Sequence, residues 1–165
     1  MMYFPAAAAA WMLPGVVLIG LWVAWSDMKF MRIPNKAVMA LLLLYVAIGP
    51  FVLPLSLWAW GGVHLAVVLA IGFLMTLTGL VGAGDAKFAA AMAPFIMIGD
   101  LSLFLPMLAA VIIASLVAHR VVRRIPAVRA AAPTWASWER REFPMGLALG
   151  PALAFYMALA AVYGV

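Results

Sequence analysis

Residues Gly82-Ala83-Gly84-Asp85-Ala86-Lys87 close a long apolar run and set a carboxylate between glycines and a lysine. The chain has only five acidic residues among 165. A carboxylate at the mouth of a membrane segment is costly, so its presence there points to use. The two glycines remove side chains beside it and let another backbone come close. A second carboxylate has a similar setting in Trp25-Ser26-Asp27-Met28-Lys29-Phe30-Met31-Arg32-Ile33-Pro34-Asn35. The expectation is that the chain brings Asp27 and Asp85 together at one face of a membrane.

Composition supports that setting. The chain is 70% hydrophobic and 9% charged, with a mean hydropathy of +1.21. A soluble domain is about half apolar and about a quarter charged. The fold class expected is therefore all-α, a polytopic membrane helical bundle forming a single domain over residues 1–165. At roughly 20 residues per span, the length suits about six spans. The net charge of +5 sits in loops, where it sets topology, so nucleic acid is not an expected partner. Cysteine is absent, which excludes disulfides, a thiol nucleophile and thiolate metal sites. With only His64 and His119 besides, neither a metal site nor another cofactor is expected. The N-terminal Met-Met-Tyr-Phe-Pro lacks a basic stretch and does not read as a cleaved signal peptide.

Six spans are expected, over about 8–25, 36–54, 59–80, the glycine-rich stretch to 98, 102–119 and 144–163. Pro50 and Pro54 mark the end of the second, and Gly99-Asp100-Leu101-Ser102 reads as a tight turn. Residues 88–118 hold a single charge and could be one helix, but charge parity argues for two. With six spans, the loops 26–36, 81–87 and 119–143 share one side and contain every Lys and Arg of the chain. Basic loops stay in the cytoplasm, which places both termini outside. Asp27 and Asp85 then share the cytoplasmic side, a result reached from Lys and Arg alone.

Two carboxylates a few ångströms apart cannot both ionise easily and share a proton. One can take a proton from water while the other polarises a carbonyl and protonates the leaving amine. That chemistry needs no Ser, Cys or metal. The alternative is that each Asp marks a membrane boundary or pairs with a nearby cation. Two on the same side, one flanked by Gly-x-Gly, favour function.

Three blocks carry a resemblance. Gly82-Ala83-Gly84-Asp85 is similar to the Gly-x-Gly-Asp signature of intramembrane aspartyl proteases. Asp27 followed by Ile33-Pro34-Asn35 resembles the first catalytic block of the prepilin peptidases, and Asp85-Ala86-Lys87 their Gly-Asp-x-Lys form. Phe143-Pro144-Met145-Gly146-Leu147-Ala148 resembles the block that opens that family's last span. The blocks occur in family order over nearly the whole chain. The cysteines and the extra cytoplasmic portion of the larger members are missing here. The chain therefore resembles the short branch without methyltransferase activity, similar to the Tad/Cpa-type enzymes that process Flp-type pilins.

The resemblance implies Asp27 and Asp85 as catalytic residues in a bacterial inner membrane, with the site facing the cytoplasm. It implies a prepilin substrate with a basic leader, cut after a Gly ahead of a hydrophobic helix. Gly82, Gly84, Lys87, Pro34, Asn35, Pro144 and Gly146 are expected to shape the cleft. Each has a plainer reading: turn or packing glycines, a topology charge for Lys87, helix starts for Pro34-Asn35 and Pro144-Gly146. The basic loop 119–143 reads as topology plus attraction to anionic lipid. His64 is expected to be packed in the third span, and Asp100 to lie in an outer turn away from catalysis. Oligomeric state has no sequence signal. A non-catalytic scaffold of a pilus or secretion system and a small ion-coupled transporter are the rival readings.

Overall fold

The computed structural model describes all of residues 1–165. Prolines punctuate the chain. Pro5, Pro34 and Pro54 stand in extended conformation immediately before α1 (Ala6–Phe30), α2 (Asn35–Val52) and α3 (Leu55–Leu77). Proline has no N–H to lose at a helix start and disfavours helix in the residue before it, so each ends one element and opens the next. The other helices are α4 (Ala83–Met92), α5 (Leu101–Val122), α6 (Pro126–Ala131) and α7 (Gly146–Tyr163). There are no strands beyond one isolated bridge between Met2 and Gly164.

Five helical segments are long and apolar enough to cross a membrane: α1, α2, α3, α7 and Ile98–Val122, which contains α5. α7 is the central one, half of it buried by protein, whereas only 6% of the α5 window is. Its main partner is α1. The two meet at Gly20 and Gly150, where a Cβ on Gly150 would stand 2.5 Å from the Gly20 carbonyl oxygen. In lipid, where burial gives little drive, such close backbone contact is what holds helices together.

The fourth passage departs from expectation. α4 is only ten residues long and stops at Met92. A 3-10 turn at Ala93–Phe95, an extended pair at Ile96 and Met97, and a second 3-10 turn at Ile98–Asp100 complete the passage. Pro94 explains the break, because it cannot supply the N–H that the Ala90 carbonyl would receive in a continuing helix. The chain still traverses the bundle six times. Gly82 and Asp85 lie beside Asp27 near the end of α1, and Asp100 binds Tyr3 and Phe4 just ahead of its start. Met2 and Gly164 pair at that second end, so the first and last residues share a side.

Other boundaries also moved. α1 runs to Phe30, so Asp27 is inside the helix rather than beyond its end. α2 continues through Pro50 to Val52, and residues 55–58 form the first turn of α3. Asp100 closes a 3-10 turn at the end of the bundle away from Asp27, as expected, but is buried there, 3% exposed. Its carboxylate accepts the Tyr3 N–H at 2.9 Å, the Phe4 N–H at 3.2 Å and the Tyr156 hydroxyl at 2.6 Å. His64 is half-buried in α3 against an apolar cleft. The polar segment after α5 packs back on the bundle: His119 is buried, stacked on Trp138 and edge-on to Phe143.

Candidate active site

Asp27 owes its position to the way α1 ends. Met31 adopts the left-handed conformation (φ 52°), the one non-glycine residue to do so, and donates its N–H to the Asp27 carbonyl at 2.8 Å. This αL cap closes the helix and reverses the chain. The Ser26 hydroxyl secures the reversal by donating to the Arg32 carbonyl at 3.0 Å. Asp27 is 5% exposed. Its Oδ2 accepts the Gly146 N–H at 2.7 Å. Gly146 is the first residue of α7, where backbone N–H groups have no partner within the helix and the helix dipole favours negative charge. A Cβ on Gly146 would lie 2.9 Å from Asp27 Cβ and 3.1 Å from Oδ2, so the close approach needs glycine. Pro144, fully buried, stands just before this contact.

Asp85 is held by its own helix. It is the third residue of α4, and its carboxylate turns back over Gly82 at the N-cap. A Cβ on Gly82 would be 2.8 Å from Asp85 Oδ2. An acidic group in a first helical turn is stabilised there by the dipole and the free N–H groups. Gly84 is different. A Cβ there would meet Ile33 at 3.5 Å, an ordinary contact. α4 is seated against α3, where Gly72 faces Ala86.

Both carboxylates line one cavity of about 560 Å³. Its walls are the end of α1 and its cap, the glycine-rich turn from Leu80 to Asp85, and the segment from Arg140 to Met145. Asp85 lies at the mouth, outside the five long membrane helices. Burial pushes its carboxyl up, the negative charge of Asp27 adds to this, and the Gly82 N–H offsets part of it, leaving a value of about 6. The Asp27 charge is therefore felt at Asp85.

The model of the type IV leader peptidase family matches residues 15–119, a stretch that includes Asp27 and Asp85. The chain belongs to this family. No curated protein and no solved structure matches it. The resemblance thus holds at the family level, the matched stretch covering the first two motif blocks but not the third at 143–148, and the five long apolar helices fit an integral membrane protein.

Of the residues singled out in the sequence, Asp27, Asp85, Gly82 and Gly84 line the cavity, and Gly146 touches Asp27. Pro34 and Asn35 do not line it; they border an adjoining recess with Trp22, Trp25 and Lys36. Lys87 is also outside, its Nζ donating to Asn35 Oδ1 at 3.4 Å on the surface. Charged cavity-lining residues that were not among the expected site residues are Arg32, Arg140 and Glu142. Their only sequence signal was proximity to the Asp27 and Pro144-Gly146 blocks. No three His, Asp or Glu side chains converge closely enough to hold a metal ion.

Proposed function

We propose that this leader peptidase is an aspartic endopeptidase and that Asp27 and Asp85 are its catalytic pair. The observation that supports this most directly is that two carboxylates from distant helices line one cavity, with the Asp27 charge felt at Asp85. In the proposed mechanism a water sits between them. Asp27, anchored through Oδ2 by the Gly146 N–H, takes a proton from that water. Asp85 carries the shared proton, polarises the scissile carbonyl and then protonates the leaving amine. The products are a free carboxylate and a free amine, with one water consumed.

The substrate in this reading is a prepilin of the Flp type, cut on the cytoplasmic side of the inner membrane between a basic leader and a hydrophobic helix. Hydrolysis is the whole reaction, without methyl transfer. Every Lys and Arg lies in the three loops at the Asp27 end of the bundle, which supports a cytoplasmic orientation. The test is leader removal from a cognate prepilin in reconstituted vesicles. Asp27→Asn and Asp85→Asn should each abolish cleavage at normal protein level. A non-catalytic scaffold would tolerate both changes, and full processing by either variant would refute the pair.

A further inference from the structure

Five arginines from three separate parts of the chain surround a second recess, of about 860 Å³. Arg120, Arg123 and Arg124 come from the last turn of α5 and the turn that caps it, Arg129 from α6, and Arg141 from the segment leading to α7. Pro126 completes the lining, and no hydrophobic side chain contributes. Basic residues that only set topology need to lie on the correct side of the membrane; they do not need to converge. Here Arg141 is brought back to the other four across the ordered segment anchored by His119 on Trp138. Only Arg129 has a carboxylate partner, Glu139 at 2.6 Å, and this is the sole ion pair in the molecule. Arg120, Arg123, Arg124 and Arg141 face the recess with none.

Clustered guanidinium groups repel one another unless an anion lies between them. A guanidinium also presents paired donors that match the oxygens of a phosphate. The recess lies just past the end of Ile98–Val122, a segment long and apolar enough to cross a membrane, and headgroups are what a helix end meets there. We propose that it binds the phosphate of an anionic phospholipid headgroup. The site would also act on the peptidase cavity. Arg141 is flanked by Arg140 and Glu142, which line that cavity, and the same segment ends at Gly146, which holds Asp27. A headgroup bridging Arg141 to the end of α5 fixes the 140–145 wall. This inference does not depend on the catalytic roles of Asp27 and Asp85.

The full chain is reconstituted in phosphatidylcholine vesicles with and without phosphatidylglycerol. Retention of phosphatidylglycerol is read by native mass spectrometry, and backbone hydrogen exchange is followed over residues 140–145. The wild-type chain should retain the anionic lipid saturably and gain protection in that segment. R123Q/R124Q/R141Q should weaken retention by roughly a hundredfold. R123K/R124K/R141K keeps the charge that sets topology but loses the paired donors, and should weaken it severalfold. Unchanged retention by the glutamine variant, or by the lysine variant, would overturn a built phosphate site. Lipid bound without added protection would overturn the link to the wall. Displacement of the lipid by millimolar inorganic phosphate would show a free-anion site and overturn the assignment to lipid.

Discussion

The Gly146 N–H donates to Asp27 Oδ2 at 2.7 Å, joining the first helix of the chain to the start of the last. Glycine is required there because a Cβ would press on both Asp27 Cβ and Oδ2. Gly146→Ala should displace the carboxylate and cut leader-cleavage rates on the order of a hundredfold, since small displacements of reacting groups cost that much. Initial rates of prepilin cleavage, measured at matched levels of folded enzyme, check this.

The two glycines before Asp85 should separate experimentally. Gly82→Ala forces the Asp85 carboxylate to move, because the new Cβ falls 2.8 Å from Oδ2. Gly84→Ala meets only an ordinary contact with Ile33. The melting temperature of Gly84→Ala in detergent should equal or exceed that of the wild type, since alanine loses less chain entropy than glycine on helix formation. A large destabilisation at Gly84 would mean that Ile33 approaches α4 more closely than described.

Asp85 should titrate near 6 in the resting protein, and lower in Asp27→Asn, because the Asp27 charge pushes its carboxyl up. Carboxyl-carbon NMR of labelled aspartate reads both values. The stability consequence has a definite sign. The folded state holds this proton more tightly than the unfolded chain, whose ordinary value is 3.8. The Asp85 contribution therefore favours folding at low pH and is lost as pH rises from 3.8 through about 6.

Asp100→Ala should destabilise the fold by roughly 2–4 kcal/mol, because it leaves two backbone N–H groups and the Tyr156 hydroxyl without their acceptor. Cleavage per folded molecule should be retained, as Asp100 lies at the opposite end from the cavity. Denaturant titration beside activity assays distinguishes this from a catalytic role.

Lys87→Ala should change cleavage by less than about threefold. Its ammonium meets Asn35 on the surface and does not line the cavity, and exposed polar contacts contribute little. A loss of activity comparable to that of Asp85→Asn would place Lys87 in the chemistry instead.

The six passages and the common side of Asp27 and Asp85 were legible because charge bias along a membrane chain is a simple sum over loops. The start of α2 after Pro34 was legible, whereas that of α3, directly after Pro54, was read four residues late. The break after Met92 was not, since hydropathy rates residues 88–98 as apolar whether or not Pro94 interrupts them. The turn at Asp100 was legible but its burial was not, because its three partners, Tyr3, Phe4 and Tyr156, come from both ends of the chain. Arg140 and Glu142 reach the cavity only through the tertiary docking of the segment around Trp138, which no local pattern announces.

The position of the carboxylates along their helices has a consequence for hydration. Asp27 is three residues from the end of α1, and Asp85 is the third residue of α4. A protease whose carboxylates sit at mid-bilayer must conduct water through hydrocarbon. On the proposed reading the cavity lies where the bundle ends, and bulk solvent supplies the nucleophile without crossing hydrocarbon. On the proposed reading, the main energetic obstacle is then on the substrate side: its peptide must give up internal hydrogen bonds near the lipid boundary before it can be cut. Sequences that unwind easily around the cut site should be the ones selected.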